Sequence, residues 1–515
     1  MLFNSYVFVF AFLPASLAGF YVLAKWGRTV ATLWLIAASL VFYGWWNPAF
    51  LPLLGVSVLG NFAISRALLA TASQARLQFW LLGGAVGLNL AALGYYKYLA
   101  AFLGVLGWPG VTNAAFADPV LPLGISFFTF TQIGYLLDCR GEADANPRDS
   151  GWLDYALFVT FFPHLIAGPI LHHREILPQF ALPETFRPPT GNLTGNLAGN
   201  LAVGLGFFTL GLLKKCLLAD PTGIVVAPGF AQADGLALAA SWQVALSYSL
   251  QLYFDFSGYS DMAVGLARMF NLRFPVNFNS PYKARSVIDY WQRWHITLTR
   301  YLTRYLFTPL TLALLRRRVA RGLPIGRAAQ RSVSGFWVMR ALPLAVTMGF
   351  AGIWHGAGWS FLIFGLLHAV YLSVNHAWRI FGLGARWPAG WPGTVSSIGL
   401  TYLAVLVGAV FFRAPGITAA LDLLGGMIGL HGSGFAIPAD PRAQGRLALD
   451  ILWLALLFGI VWGGPNTQEI MGEAQSRMSV LRWRPALPWA VGFGVAAAVG
   501  LLSIGGTGEF LYFQF

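Results

Sequence analysis

Eight histidines are the chain's main stock of groups able to take and return a proton near neutral pH. Two of them stand out. His355 lies in Gly352-Ile353-Trp354-His355-Gly356-Ala357-Gly358-Trp359, a glycine-rich break between the apolar runs 340–351 and 360–374. Non-helical backbone at membrane depth is tolerated only where protein packs on it or it lines a wet cavity. An imidazole held there, with an ordinary pKa near about 6.5, is suited to general-base work. His295 falls on a helix face that also carries Trp291, Gln292 and Thr299. Either residue could instead be structural, bonded to a backbone carbonyl, and periodicity does not pair them in space.

The other histidines are weaker candidates. His164 precedes a Leu-Ile-Ala-Gly-Pro turn, and His172 and His173 read as a solvated loop pair beside Arg174 and Glu175. His368 and His376, eight residues apart, could share a helix face as core contacts or as support for His355. His431 sits in a glycine-rich loop with no role assigned. No HExxH or HxH spacing exists, so no metal site is expected. Asp255 and Asp261 flank Phe256-Ser257-Gly258-Tyr259-Ser260 in an aromatic, apolar setting. They read either as caps at a helix break near Gly258, where Ser257 and Ser260 also suit N-caps, or as carboxylates orienting a histidine or arginine. No GxSxG elbow, Ser/His/Asp order or Walker-type loop is present, which removes serine hydrolases and P-loop enzymes.

These residues must be positioned by apolar elements. The 515 residues are 57% apolar, 15% aromatic and only 10% charged. A soluble domain carries roughly 25% charged residues, so this chain needs lipid as solvent. Apolar runs recur from Phe3 to Phe515 without a long polar linker, so one integral-membrane domain over 1–515 is expected. The excess of 33 Lys+Arg over 19 Asp+Glu fits basic cytoplasmic loops on anionic lipid rather than nucleic-acid binding. Cys139 and Cys216 are too few for a disulfide framework.

With about 20 residues per span, spans are expected near 5–24, 30–48, 50–68, 78–100 and 120–138. Others are expected near 152–170, 198–218, 236–256, 334–353, 357–378, 396–413, 448–464 and 487–505. The run from Tyr6 to Ala24 is a first span rather than a signal peptide, because Lys25 and Arg28 follow it and no cation precedes it. With the N-terminus outside, the loops holding Lys25 and Arg28, Arg66 and Arg76, and Arg140 and Arg148 fall inside. The turn at Asn47 and the loop 101–119 hold no cation, while Lys97 can snorkel from a helix end. The same count places the basic stretch Lys283 to Arg331 in the cytoplasm. Within it, Trp291, Trp294, Leu298, Tyr301, Leu302 and Tyr305 recur at helical spacing opposite Arg293, Arg300 and Arg304. That pattern predicts one amphipathic helix over 289–318, with Arg316, Arg317, Arg318 and Arg321 available to lipid or donor phosphates.

Several strings carry a resemblance. They are Leu-Pro-Leu-Gly-Ile-Ser-Phe-Phe-Thr-Phe (121–130), Phe-Phe-Pro-His-Leu-Ile-Ala-Gly-Pro-Ile (161–170), Gly-Leu-Leu-Lys-Lys (211–215) and Tyr-Phe-Asp-Phe-Ser-Gly-Tyr-Ser-Asp-Met-Ala (253–263). Arg-Phe-Pro-Val-Asn-Phe-Asn-Ser-Pro-Tyr (273–282), Trp-Gln-Arg-Trp-His-Ile-Thr-Leu (291–298), Trp-His-Gly-Ala (354–357) and the closing Phe-Leu-Tyr-Phe-Gln-Phe extend the set. In combination the chain resembles the membrane-bound O-acyltransferase family, in its alginate O-acetyltransferase-like branch.

The resemblance implies an all-α polytopic membrane protein. Its tilted transmembrane helices form a ring around a thin central partition, with re-entrant and amphipathic helices, a catalytic core over about 120–380 and C-terminal helices over 396–515. It implies that His355 is the catalytic histidine and His295 the second active-site polar residue, with His355 as base and His295 in a donor-positioning or oxyanion role. Asp255, Ser257, Asp261, Asn279, Trp291 and Trp354 are candidates for positioning substrate or donor. The implied reaction passes an acyl group, most often acetyl, from a cytoplasmic thioester to a hydroxyl of an extracytoplasmic polysaccharide such as alginate. Acetyl-CoA or an acyl carrier protein would serve as donor, with no bound cofactor and with a separate extracytoplasmic partner handling the polymer in a bacterial inner membrane. One string departs from the branch. Arg304-Tyr305-Leu306-Phe307-Thr308-Pro309-Leu310 lacks the Asp and the Gly pair usual there, which bears on the donor side. A transporter or flippase, and a scaffold subunit of an exopolysaccharide complex, are the alternatives; the missing internal repeat weighs against transport.

Overall fold

The computed structural model describes residues 1–105, 121–141, 151–186, 196–382, 387–434, 441–475, 478–505 and 510–511. The expectations for Arg148, for 106–119 of the outer loop and for 512–515 of the closing string lie outside the described residues. Every regular element among those described is helical. Helices satisfy their own backbone groups, and in lipid only such elements or closed barrels can span. Among the described residues, seven helices are long and apolar enough to cross a membrane, from Phe8–Trp26 to Gly390–Arg413. The chain divides into two compact units, and the helix Leu238–Met269 contributes residues to each.

The first unit holds Met1–Cys216, Ser257–Val276 and Pro485–Gly506. Helices Leu51–Ala70, Ala75–Lys97 and Ile125–Gly141 pack together there. A buried polar network joins them. Asn61 and Asn89 exchange side-chain amide bonds of 3.2 and 2.7 Å, Gln132 Nε2 donates to Ser57 Oγ, and Tyr155 donates to Gln132 Oε1. Such bonds hold helices together where lipid offers no hydrophobic drive between them.

Two expectations fail in this unit. The span over 152–170 is instead the helix Trp152–Thr160, a break at Phe161 with ψ 113°, and the turn Phe162–Leu165. Pro163 in the first turn of the second piece suits the start of a helix, where its missing N–H is not needed, rather than the continuation of one. No break occurs at Gly258 either, because Leu238–Met269 is continuous. Gly258 serves close approach: a Cβ there would lie 2.7 Å from the carbonyl oxygen of Gly211.

The second unit holds Leu217–Phe256, Asn277–Arg484 and Thr507–Phe515. Its centre is a hairpin of Leu342–His355 and Trp359–Ile380, against which Gly390–Arg413 packs. The hairpin closes on glycines. A Cβ on Gly352 would come 2.2 Å from Phe361 O, one on Gly365 2.2 Å from Met348 O, and one on Gly356 2.2 Å from the Phe361 ring.

The expected single helix over 289–318 is broken. It comprises Val287–Trp291, Ile296–Leu302, a π-helical turn Thr303–Phe307 and Thr308–Ala320. The break is held by extended chain at 277–279. Asn279 N–H donates to Arg293 O and Ile296 N–H donates to Asn277 O, at 2.9 and 3.0 Å. Arg318 does not face phosphates; it is buried and donates to Pro324 O at 3.1 Å.

Candidate active site

His355 ends the helix Leu342–His355, and Gly356 follows in extended backbone. Its ring is buried among aromatic rings, with centroid distances of 4.9 Å to Trp354, 5.0 Å to Phe412 and 6.1 Å to Phe364. A cavity of about 30 Å³ opens beside it, lined by His355, His368, Phe256, Trp294, Phe364 and Phe412 among others. That is the room of a single water, with two imidazoles in its wall.

His368 is the functional candidate that sequence reasoning left unpaired. It shares the cavity with His355 and is 1% exposed. The signal was the stripe Ser360, Phe364, His368 and Leu372, buried at four-residue spacing on one face of Trp359–Ile380. The partner was invisible, because the Trp291 indole N–H that donates to His368 Nδ1 at 3.2 Å is 77 residues away in sequence.

His295 stands at the break, the N-cap of Ile296–Leu302, with φ 43° and ψ 53°. That left-handed conformation costs a non-glycine residue roughly 1–2 kcal/mol. Asn277 holds it there. The Asn277 Oδ1 lies 3.1 Å from His295 Nδ1 and also accepts from Thr297 N–H at 3.2 Å and Thr297 Oγ1 at 2.9 Å. Because a backbone N–H only donates, that atom is the amide oxygen, and His295 Nδ1 must carry the proton. Burial pushes the His295 pKa down to about 3, so the ring is neutral and Nε2 presents a lone pair. His295 lies outside the seven spanning helices. The oxyanion-donor role does not fit this tautomer, which offers an acceptor at Nε2. Phe256, 4.8 Å from the His295 ring, also lines the cavity, and Trp354 is 6.4 Å from it.

The remaining candidates separate. Trp291 and Trp354 touch the cavity's histidines. Asn279 accepts from Asn466 Nδ2 at 2.9 Å and lines a larger polar cavity of about 620 Å³, with Lys283, Arg285, Asp289, Arg293 and Glu469. Asp255 accepts from the backbone N–H of Leu511 at 3.0 Å through Oδ2. Asp261 pairs with Lys214 at 2.6 Å in the first unit, where Ser257 is also buried on the helix. Neither aspartate is a helix cap at a break.

His172 and His173 are not a solvated pair. Their Nε2 and Nδ1 lie 2.9 and 3.5 Å from Asp138 Oδ2, and His173 is buried. An aspartate and two histidines are a donor set that suits a divalent metal. His172 Nδ1, however, accepts the Arg174 N–H at the start of His173–Ala181, so Nε2 carries the proton and turns it to the carboxylate. His164 is structural, its Nε2 2.8 Å from Phe158 O.

Fold and site together define a multi-pass α-helical membrane protein with a buried histidine pair in a water-sized cavity. The chain matches the membrane-bound O-acyltransferase family over residues 76–323. It is similar to the peptidoglycan O-acetyltransferase of Helicobacter pylori, at 40% identity over 84% of this chain and 80% of that protein. It is also similar to the probable alginate O-acetylases AlgI of Pseudomonas putida, at 36% over 83% and 80%, and of Pseudomonas aeruginosa, at 35% over 82% and 73%. The chain belongs to the membrane-bound O-acyltransferase family, and it is an O-acyltransferase.

Proposed function

We propose that this enzyme moves an acetyl group from a cytoplasmic thioester, acetyl-CoA or an acylated carrier protein, to hydroxyls of an extracytoplasmic glycan. It does so in a bacterial inner membrane, its N-terminus outside, with a separate extracytoplasmic protein presenting the polymer. The observation that carries the chemistry is the buried cavity with His355 in its wall, on a chain of this family. His355 takes the proton of the acceptor hydroxyl as its oxygen attacks the thioester carbonyl. The water-sized cavity admits the acetyl carbonyl only as the ring walls Phe364 and Phe412 turn aside, which excludes bulk water from the thioester. Relatives whose names specify peptidoglycan and alginate acetylation support a glycan acceptor. The 40% identity to the peptidoglycan enzyme ranks peptidoglycan before alginate. The test is mass spectrometry of acetate released by mild alkali from peptidoglycan and extracellular polymers, with wild type and His355→Ala at matched membrane levels. Loss of acetate from one polymer is expected in the variant; unchanged esters everywhere would remove His355 from the chemistry.

A further inference from the structure

We infer that His368 is a catalytic residue of this reaction: its Nε2–H donates to the acyl carbonyl oxygen in the His355 cavity, held in that tautomer by Trp291. The inference rests on the proposed acyl transfer at His355 and adds the group that meets the negative charge.

The tautomer follows from hydrogen-bond chemistry alone. An indole nitrogen donates and never accepts, so the Trp291 N–H at 3.2 Å requires a lone pair on His368 Nδ1. A protonated imidazole has no such lone pair. The ring is therefore neutral with its one proton on Nε2. His295 has the opposite arrangement, proton on Nδ1 and lone pair on Nε2, because Asn277 Oδ1 is an acceptor. Two buried histidines thus present opposite faces, and only His368 shows a donor.

That donor is kept for a ligand. Among the described residues His368 Nε2 has no acceptor, although the side chain is 1% exposed. The side chain lines the cavity, so this N–H stays open to a small ligand there. Gly408 maintains the space in front of it: a Cβ at that position would lie 2.8 Å from Nε2. The rings of Tyr290, Phe364 and Tyr371 surround the imidazole and fix its plane, while Phe364 touches His355 as well.

The step balances as follows. The acceptor hydroxyl gives its proton to His355 while its oxygen forms a bond to the thioester carbonyl carbon. The carbonyl oxygen takes up the electron pair and accepts the His368 Nε2–H hydrogen bond. The C–S bond then breaks as the carbonyl re-forms, and the thiolate leaves with the proton from His355. His368 ends with the proton it began with.

The experiment measures the initial rate of radiolabelled acetate incorporation into cell glycans, which reports whichever thioester serves as donor, at matched membrane levels of full-length protein. His355→Ala should abolish incorporation. His368→Leu should lower the rate about 10²–10³-fold, and His368→Gln, which restores an N–H donor, should recover at least a tenth of wild type. Trp291→Phe, which frees the ring to tautomerise, should slow it about tenfold or more. Incorporation by His368→Leu within threefold of wild type, with His355→Ala inactive, overturns this inference and leaves the proposed function standing. Full incorporation by His355→Ala overturns both. If His368→Leu fails to accumulate, ¹⁵N spectra of histidine-labelled protein decide, with the His368 signal identified by its loss in His368→Gln. A protonated Nε2 and bare Nδ1 in wild type, mixing in Trp291→Phe, is expected; the reverse tautomer or an imidazolium overturns the inference.

Discussion

His295 carries a titration signature of its own. An unfolded histidine binds a proton near pH 6.5, whereas the buried ring does so only near about 3. Above about 6.5 both states are neutral and the residue contributes nothing to pH dependence. Below it the unfolded state gains a proton that the native state refuses, so stability falls as pH falls from 6.5 toward 3. The thermal midpoint in detergent should therefore drop between pH 7.5 and 5, and His295→Gln should show a smaller drop. Asn277→Asp tests the cause. A carboxylate beside Nδ1 favours the imidazolium, raises the His295 pKa and should flatten the same acid loss. An unchanged pH dependence in both variants would mean that other groups govern the acid limb.

At the scale of elements, the sequence exposed what periodicity and composition encode and concealed what depends on contacts across the chain. The glycine-rich break after His355 marked a hairpin, and the apolar runs located most of the helices. Asn277 is 18 residues before His295 and reshapes the chain there, so a pattern that reads as one amphipathic helix becomes two pieces around a left-handed histidine. The same limit hid the carboxylates. Asp255 and Asp261 looked alike in sequence, yet one binds the backbone of Leu511 and the other a lysine on a separate helix. Glycines are legible in sequence as punctuation but not as contact surfaces, which is why Gly258 suits a break on paper and a close helix approach in the structure. Gly408 offers a test. Gly408→Ala puts a methyl 2.8 Å from His368 Nε2 and must displace the ring or the helix, an overpacking that costs roughly 1–3 kcal/mol. Gly399 lies on the same helix with nothing within 4 Å of a Cβ, so Gly399→Ala should be neutral or stabilise by up to about 1 kcal/mol. Acetate incorporation and thermal midpoint should fall for the first and hold for the second; equal behaviour would deny a packing role to Gly408.

At the scale of the whole molecule, the proposed orientation rests on charge. The +14 excess is unevenly distributed along the chain. Lys25 and Arg28, Arg66 and Arg76, and the run from Arg273 to Arg331 fall in segments that alternate with cation-poor ones at 45–50 and 220–237. The latter segment holds Asp220 and Asp234 and no lysine or arginine, which suits the outer side in the proposed orientation. Lys97 is the exception, at the end of Ala75–Lys97 that this orientation puts outside, against the Tyr98 ring. Single cysteines decide the matter, since Cys139 and Cys216 are both buried and should label slowly. In intact spheroplasts a membrane-impermeant maleimide should reach Ala49→Cys and Asp234→Cys, both exposed positions. Ser73→Cys and Gly326→Cys, exposed among the basic segments, should react only after permeabilisation. The reverse pattern would turn the molecule over and put the basic segment 283–331, with its polar cavity, on the glycan side. A cytoplasmic thioester would then face the cation-poor side, and the direction of transfer proposed for this enzyme would fall with it.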